Sequence, residues 1–145
     1  MNYPTPSFAR TFRDLVAHSK ARALARDVFD FTLTLPKDEE YSLKDQMRRA
    51  SRSIGAQIAE AWAKRRYEKH FISKLTDADA EQTETQHWMD IALDCRYLDK
   101  VHYVQFIERL EEINRLIHGM INKADSFCSA SPSAFHEETA EYFSK

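Results

Sequence analysis

The side chains best placed to do chemistry are cations, and they fall into two groups. Lys44, Arg48 and Arg52 are spaced four apart, with Arg49 beside them. Lys64, Arg65, Arg66, Lys69 and His70 follow as a denser cluster with Tyr67 in its midst. On a helix, a spacing of four lines side chains up on one face. Such a line suits RNA or DNA, because each phosphate neutralised releases condensed counterions. Tyr67 adds a ring on which an exposed base can stack. The second use of these residues is structural. Arginine forms bidentate pairs with carboxylates, and Asp77, Asp79, Glu81 and Glu84 lie on the next expected helix or on its copy in a neighbouring subunit. The overall charge favours the structural use. Lys and Arg number 21 against 23 Asp and Glu, a net charge of −2. That balance gives no whole-molecule attraction to nucleic acid or to an anionic membrane.

Other chemistries are less well supplied. Glu84 and His87 make the Glu-x-x-His pair of di-iron bundles, but that centre needs a second such pair and two further glutamates. His102 and His118 are preceded three residues earlier by Asp99 and Arg115, so there is no second copy. Cys95 falls on an apolar stripe beside Ile91, which predicts a buried, inert thiol. Cys95 and Cys128 lack metal-ligand spacing and point to a reducing compartment. There is no glycine-rich phosphate loop. Trp62 and Trp88 read as core or interface anchors. No catalytic residue, metal or cofactor is expected, and the protein is read as cytoplasmic and not an enzyme.

Four helices must position these residues. Gly 2 and Pro 4 in 145 residues are too few for a turn-rich β fold. Residues 1–11, with Pro4 and Pro6, read as an extended lead-in; residues 12–123 read as the bundle. The first helix is expected from Phe12 or Arg13 to Thr34. Ala17, Ala21, Leu24, Val28, Phe31 and Leu35 form its apolar face, and Pro36 stops it. Leu15, Phe29 and Leu33 lie off that stripe and suggest a second partner surface. Ser42 should cap the second helix, whose core stripe is Leu43, Met47, Ala50, Ile54, Ile58, Ala61 and Trp62. The third, nearly continuous with the second, spans about Glu68–Tyr97 with Phe71, Leu75, Ala78, Gln82, Thr85, Met89 and Ala92 on one stripe. Asp99 caps the fourth, where Tyr103, Phe106, Leu110, Ile113, Ile117 and Met120 face inward. Short links between long helices predict an all-α, antiparallel up-down four-helix bundle. The tail, 124–145, ends with Phe135, Tyr142 and Phe143 and is expected to be partly disordered or a short docking helix. No segment approaches the length and apolarity of a membrane span.

The second helix has a further property. Opposite its core stripe stand Gly55, Ala56, Ala59 and Ala63, flanked by Met47 and Trp62. A glycine inside a helix costs about 1 kcal/mol relative to alanine, so close approach of another backbone is its expected reason. Met47, Gly55, Ala59, Trp62 and Ala63 are therefore the expected contact residues of a homo-oligomer.

The run RRASRSIGAQIAEAWAKRRYEKHFISKL, followed by DADAEQTETQHWMDIALDCRYL, closely resembles the bacterial four helix bundle proteins whose founding members are encoded by intervening sequences of 23S rRNA genes. FRDLVAHSKARALARDVFDFTLTLPKDEEYSL upstream fits as well, and the resemblance covers roughly Phe12 to Lys123. It implies a bundle assembled as a ring-like homopentamer, with no enzymatic activity attached. A related branch, the accessory protein of diversity-generating retroelements, is a basic pentamer that binds nucleic acid and a reverse transcriptase. This sequence departs by being slightly acidic and by having Gln57 and Ala61 where relatives often have Asn and Gly. Arg96 stands where a glycine is usual, so the turn after the third helix must form without it.

Overall fold

A computed structural model describes residues 9–128 of the chain. Helix α1 runs over Val16–Thr32, α2 over Leu43–Ala63, α3 over Glu68–Asp94 and α4 over Lys100–Asn122, and a short α5 spans Ala124–Cys128. No strand occurs among the described residues. Cross-contacts give the directions. Arg48 of α2 reaches Thr32 near the end of α1, while Gly55, further along α2, faces His18 near its start. Lys74, early in α3, pairs with Glu60, late in α2, whereas Arg49 meets Glu84. Asp90 of α3 accepts from Tyr103, early in α4, and Asp79 from Asn114. Lys20 and Asp27 of α1 pair with Glu112 and Arg109 of α4. Each helix therefore runs antiparallel to the next, and α4 returns to α1.

The periodic stripes do the packing. Ala21, Leu24, Val28, Met47, Ile54, Ile58, Phe71, Leu75, Met89, Leu110 and Ile117 are fully buried in one continuous core. Each large side chain of this kind contributes about 1.5–3 kcal/mol on burial. Gln82 and Thr85, the polar members of the α3 stripe, are buried too. Their hydrogen bonds are made close by, which removes most of the cost of desolvation. Thr85 donates to the Glu81 carbonyl at 2.8 Å. Gln82 donates to Asp79 at 2.9 Å and accepts from Gln86 at 2.8 Å.

Several boundaries differ from expectation. The first helix starts later: Phe12–Asp14 is a separate 3-10 turn, capped by Thr11, and Leu15 breaks it from α1. Leu15 is buried in this chain's own core and offers no second surface. Ser42 does not cap α2; its hydroxyl donates to Glu39 at 3.3 Å instead. Helices α2 and α3 are not continuous, because the chain reverses through Lys64–Tyr67. Asp99 does cap α4, accepting from the His102 amide at 2.8 Å. At the end of α3, Arg96 takes the left-handed conformation, φ 64°. The Tyr97 amide bonds the Ala92 carbonyl and the Arg96 amide bonds that of Leu93, which is a Schellman closure. The first residues of the tail form α5, whose Phe127 stacks on Phe71 at 5.6 Å. Phe135, Tyr142 and Phe143 lie outside the described residues.

Candidate functional site

The eight candidate cations part into those with structural partners and those without. Lys44 pairs with Glu40 at 3.6 Å, one turn back. Arg49 bonds Glu84 and lies 3.7 Å from Glu81, so the expected pairing of α2 arginines with the acidic stretch of α3 holds for this residue. Asp77 pairs with Lys74, and Asp79 turns to α4. Burial, with Glu84 and Asp77 nearby, raises the pKa of Glu81 against the opposing pull of Arg49. Arg65 lies 4.0 Å over the Trp62 ring and donates to the Trp62 carbonyl at 2.9 Å. Arg66 sits 5.5 Å over Tyr67. Lys64, Lys69 and His70 are exposed beside Tyr67, which is 56% exposed.

Arg48 and Arg52 are different. Both guanidinium groups lie over the ring of Phe29 on α1, at 4.5 and 5.6 Å from its centroid. Arg48 is also fixed by its Nε, which donates to Thr32 Oγ1 at 2.8 Å. Thr32 is completely buried and its hydroxyl donates to the Phe29 carbonyl at 2.7 Å. Among the described residues neither arginine has a carboxylate within ion-pair distance. The spacing of Arg48 and Arg52 was readable in the sequence; their shared ring was not, since Phe29 falls off the α1 stripe.

The expected contact residues also separate. Met47 is completely buried in the core of its own chain and cannot line an outer face, which corrects its placement there. Gly55 turns toward α1: a Cβ there would meet the His18 ring at 3.8 Å and Ala21 at 3.9 Å. The neighbour is thus a side chain of the same protomer and not a closely approaching backbone. Ala56 and Ala63 are exposed, while Ala59 and Trp62 are half-buried.

Two arrangements escaped the sequence reading. Asp79 gathers Gln82, Asn114 at 2.6 Å and His118 at 3.1 Å, which ties α3 to α4. His102 Nδ1 is 2.6 Å from Asp99. The amide and ring of His102 lower the pKa of Asp99, as suits a helix cap. Of the Glu84 and His87 pair, Glu84 holds Arg49 and His87 packs edge-on to Trp88 at 4.8 Å. Among the described residues no three His, Cys, Asp or Glu side chains converge as metal ligands. Nor is any helix there long and apolar enough to cross a membrane. Cys95 is exposed, not buried, since it lies at the end of α3 where the core stripe has run out. Burial pushes the thiol of Cys128 up to about 11.

The pattern of the 23S rRNA-intervening sequence protein family matches residues 13–119. The chain belongs to this family. The matched stretch starts in the 3-10 turn and ends near the close of α4, so the family pattern coincides with the four long helices. Among solved structures, the chain is similar to a crystal structure from Bacteroides thetaiotaomicron VPI-5482, of a protein with unknown function from the S23 ribosomal protein family. The TM-score is 0.67 at 27% identity, over 74% of this chain and 96% of that one. Comparison with curated proteins finds no match.

Proposed function

We propose that the protein is a non-enzymatic cytoplasmic bundle that assembles with copies of itself and serves as a binding or scaffolding module. The observation that supports this is the row Ala56, Ala59 and Ala63 beside Trp62 on the outside of α2. Methyl groups at helical spacing let another backbone come close, and the indole supplies an anchor. A heterologous contact of this kind, repeated around a rotation that closes, makes a ring. The resemblance to the family supports five copies.

Light scattering of wild type and Ala59→Arg tests the reading. The arginine would clash with a close neighbour and bury an unpaired charge. The expected result is a smaller particle with unchanged helical circular dichroism. A wild-type mass of one 17.0 kDa chain at micromolar concentration would overturn the proposal. An unchanged oligomer in the variant would move the interface off α2, with exposed Leu33, just past the end of α1, next in line. Stoichiometric iron or manganese in the purified protein would overturn the non-enzymatic part.

A second reading is favoured by Lys64, Lys69 and Tyr67, which stand exposed together at the reversal between α2 and α3. It makes the collar a contact for RNA or DNA. Retention of an RNA or DNA oligonucleotide should then fall steeply with salt.

A further inference from the structure

We propose that Arg48 and Arg52, held over the ring of Phe29, form a binding site for a phosphate-type oxyanion. The carrying observation is a pair of cations that the fold positions but does not neutralise. Lys44 and Arg49, their neighbours on α2, each have a carboxylate. Arg48 and Arg52 have none among the described residues, although they stand one turn apart. Like charges at that spacing repel along a helix. An anion placed between them relieves the repulsion.

The pair is also organised in advance. The Nε of Arg48 is committed to Thr32, and both guanidinium carbons lie over one aromatic ring. Cation–π contact orients a guanidinium while leaving its N–H edge free. Both Nη groups of Arg48 and the whole fork of Arg52 are therefore available as donors. Fixing side chains before a ligand arrives removes part of the ordering cost of binding. The donor count selects the ligand. A carboxylate has two oxygens and one charge, which a single fork satisfies. A phosphate group carries up to two charges and offers three oxygens, enough for both guanidiniums at once. Arg48, Arg52, Phe29 and Thr32 all belong to one protomer, and none of them is part of the collar.

The test follows the arginine Nε–Hε resonances by NMR during titration of the full chain with sodium pyrophosphate. The expected result is saturable movement of the Arg48 and Arg52 signals, with acetate at matched ionic strength moving neither. Arg52 makes no hydrogen bond or ion pair among the described residues, so Arg52→Gln should fold normally and weaken binding about tenfold, or ~1.4 kcal/mol. Arg52→Lys should recover only part, because it restores the charge without the fork. Phe29→Leu should weaken binding with both charges present. A short single-stranded oligonucleotide without terminal phosphates distinguishes the sources. Displacement of pyrophosphate from the same resonances assigns a phosphodiester ligand; pyrophosphate binding without displacement assigns a free phosphorylated compound. No saturation by about 10 mM pyrophosphate, weaker than typical specific binding, would overturn the site. So would equal response to acetate, or unchanged affinity in Arg52→Gln.

Discussion

His18 is buried on the inner side of α1, with the Phe12 ring edge-on at 4.7 Å and Gly55 of α2 against it. Desolvation first, then the positive charges of Arg22 and Arg13, lower its pKa below the ordinary 6.5. Between the folded and unfolded values the unfolded chain binds the proton better, so stability rises with pH in that window. The contribution is complete above 6.5 and is lost as the pH falls through the folded value. Urea midpoints at pH 7.5 and 5.5 should therefore differ more in wild type than in His18→Gln. Equal differences would mean that the ring is not desolvated as described. Little of this could be read from residue types. Histidine at position 18 is covered by Phe12, which folds back through a 3-10 turn, and by α2 at Gly55, and that turn has too few residues to show a period. The cation spacing on α2 was readable for the opposite reason: a line of side chains on a long helix follows from the count alone.

The helices were legible because each carries six or seven residues of repeating pattern, whereas the joints depend on one or two side chains. Asp99 acts as its type predicts. Ser42 does not, because Glu39, three residues earlier, claims its hydroxyl. The joint after α3 stores a local conflict. Arg96 has φ 64°, a conformation that costs a residue with a Cβ about 1–2 kcal/mol. The Schellman bonds from Tyr97 and Arg96 hold it there. Arg96→Gly relieves the strain but gives the unfolded chain more freedom. The expected net gain is about 1 kcal/mol, or a rise in Tm of roughly 2–4 °C for a domain of this size. Calorimetry would show it, and a lowered Tm would mean that the arginine side chain makes a contact outweighing the strain.

For the whole molecule, packing within one chain and packing between chains leave the same mark on a sequence. Gly55 and Ala59 share a small-residue face by spacing, yet Gly55 looks onto α1. That ambiguity is why a small-residue face on α2 does not by itself mark an assembly surface. Gly55→Ala separates the two cases. Inside the protomer its Cβ meets His18 at 3.8 Å, an ordinary contact. The helix should gain up to about 1 kcal/mol. The expected outcome is a higher Tm with an unchanged particle mass; a smaller particle would place another chain's backbone on Gly55 after all. Asp79 has a comparable reach. Apolar stripes at intervals of three and four are nearly self-similar, so Ile117 could take the place of Ile113 if α4 slid one turn along α3. Asn114 and His118 could not follow, since both are anchored to the single carboxylate of Asp79. The slipped bundle would keep its oil and strand its polar atoms. Asp79, with Asp90 holding Tyr103 further along, thus sets the register of two helices, and with it where their joining turn falls.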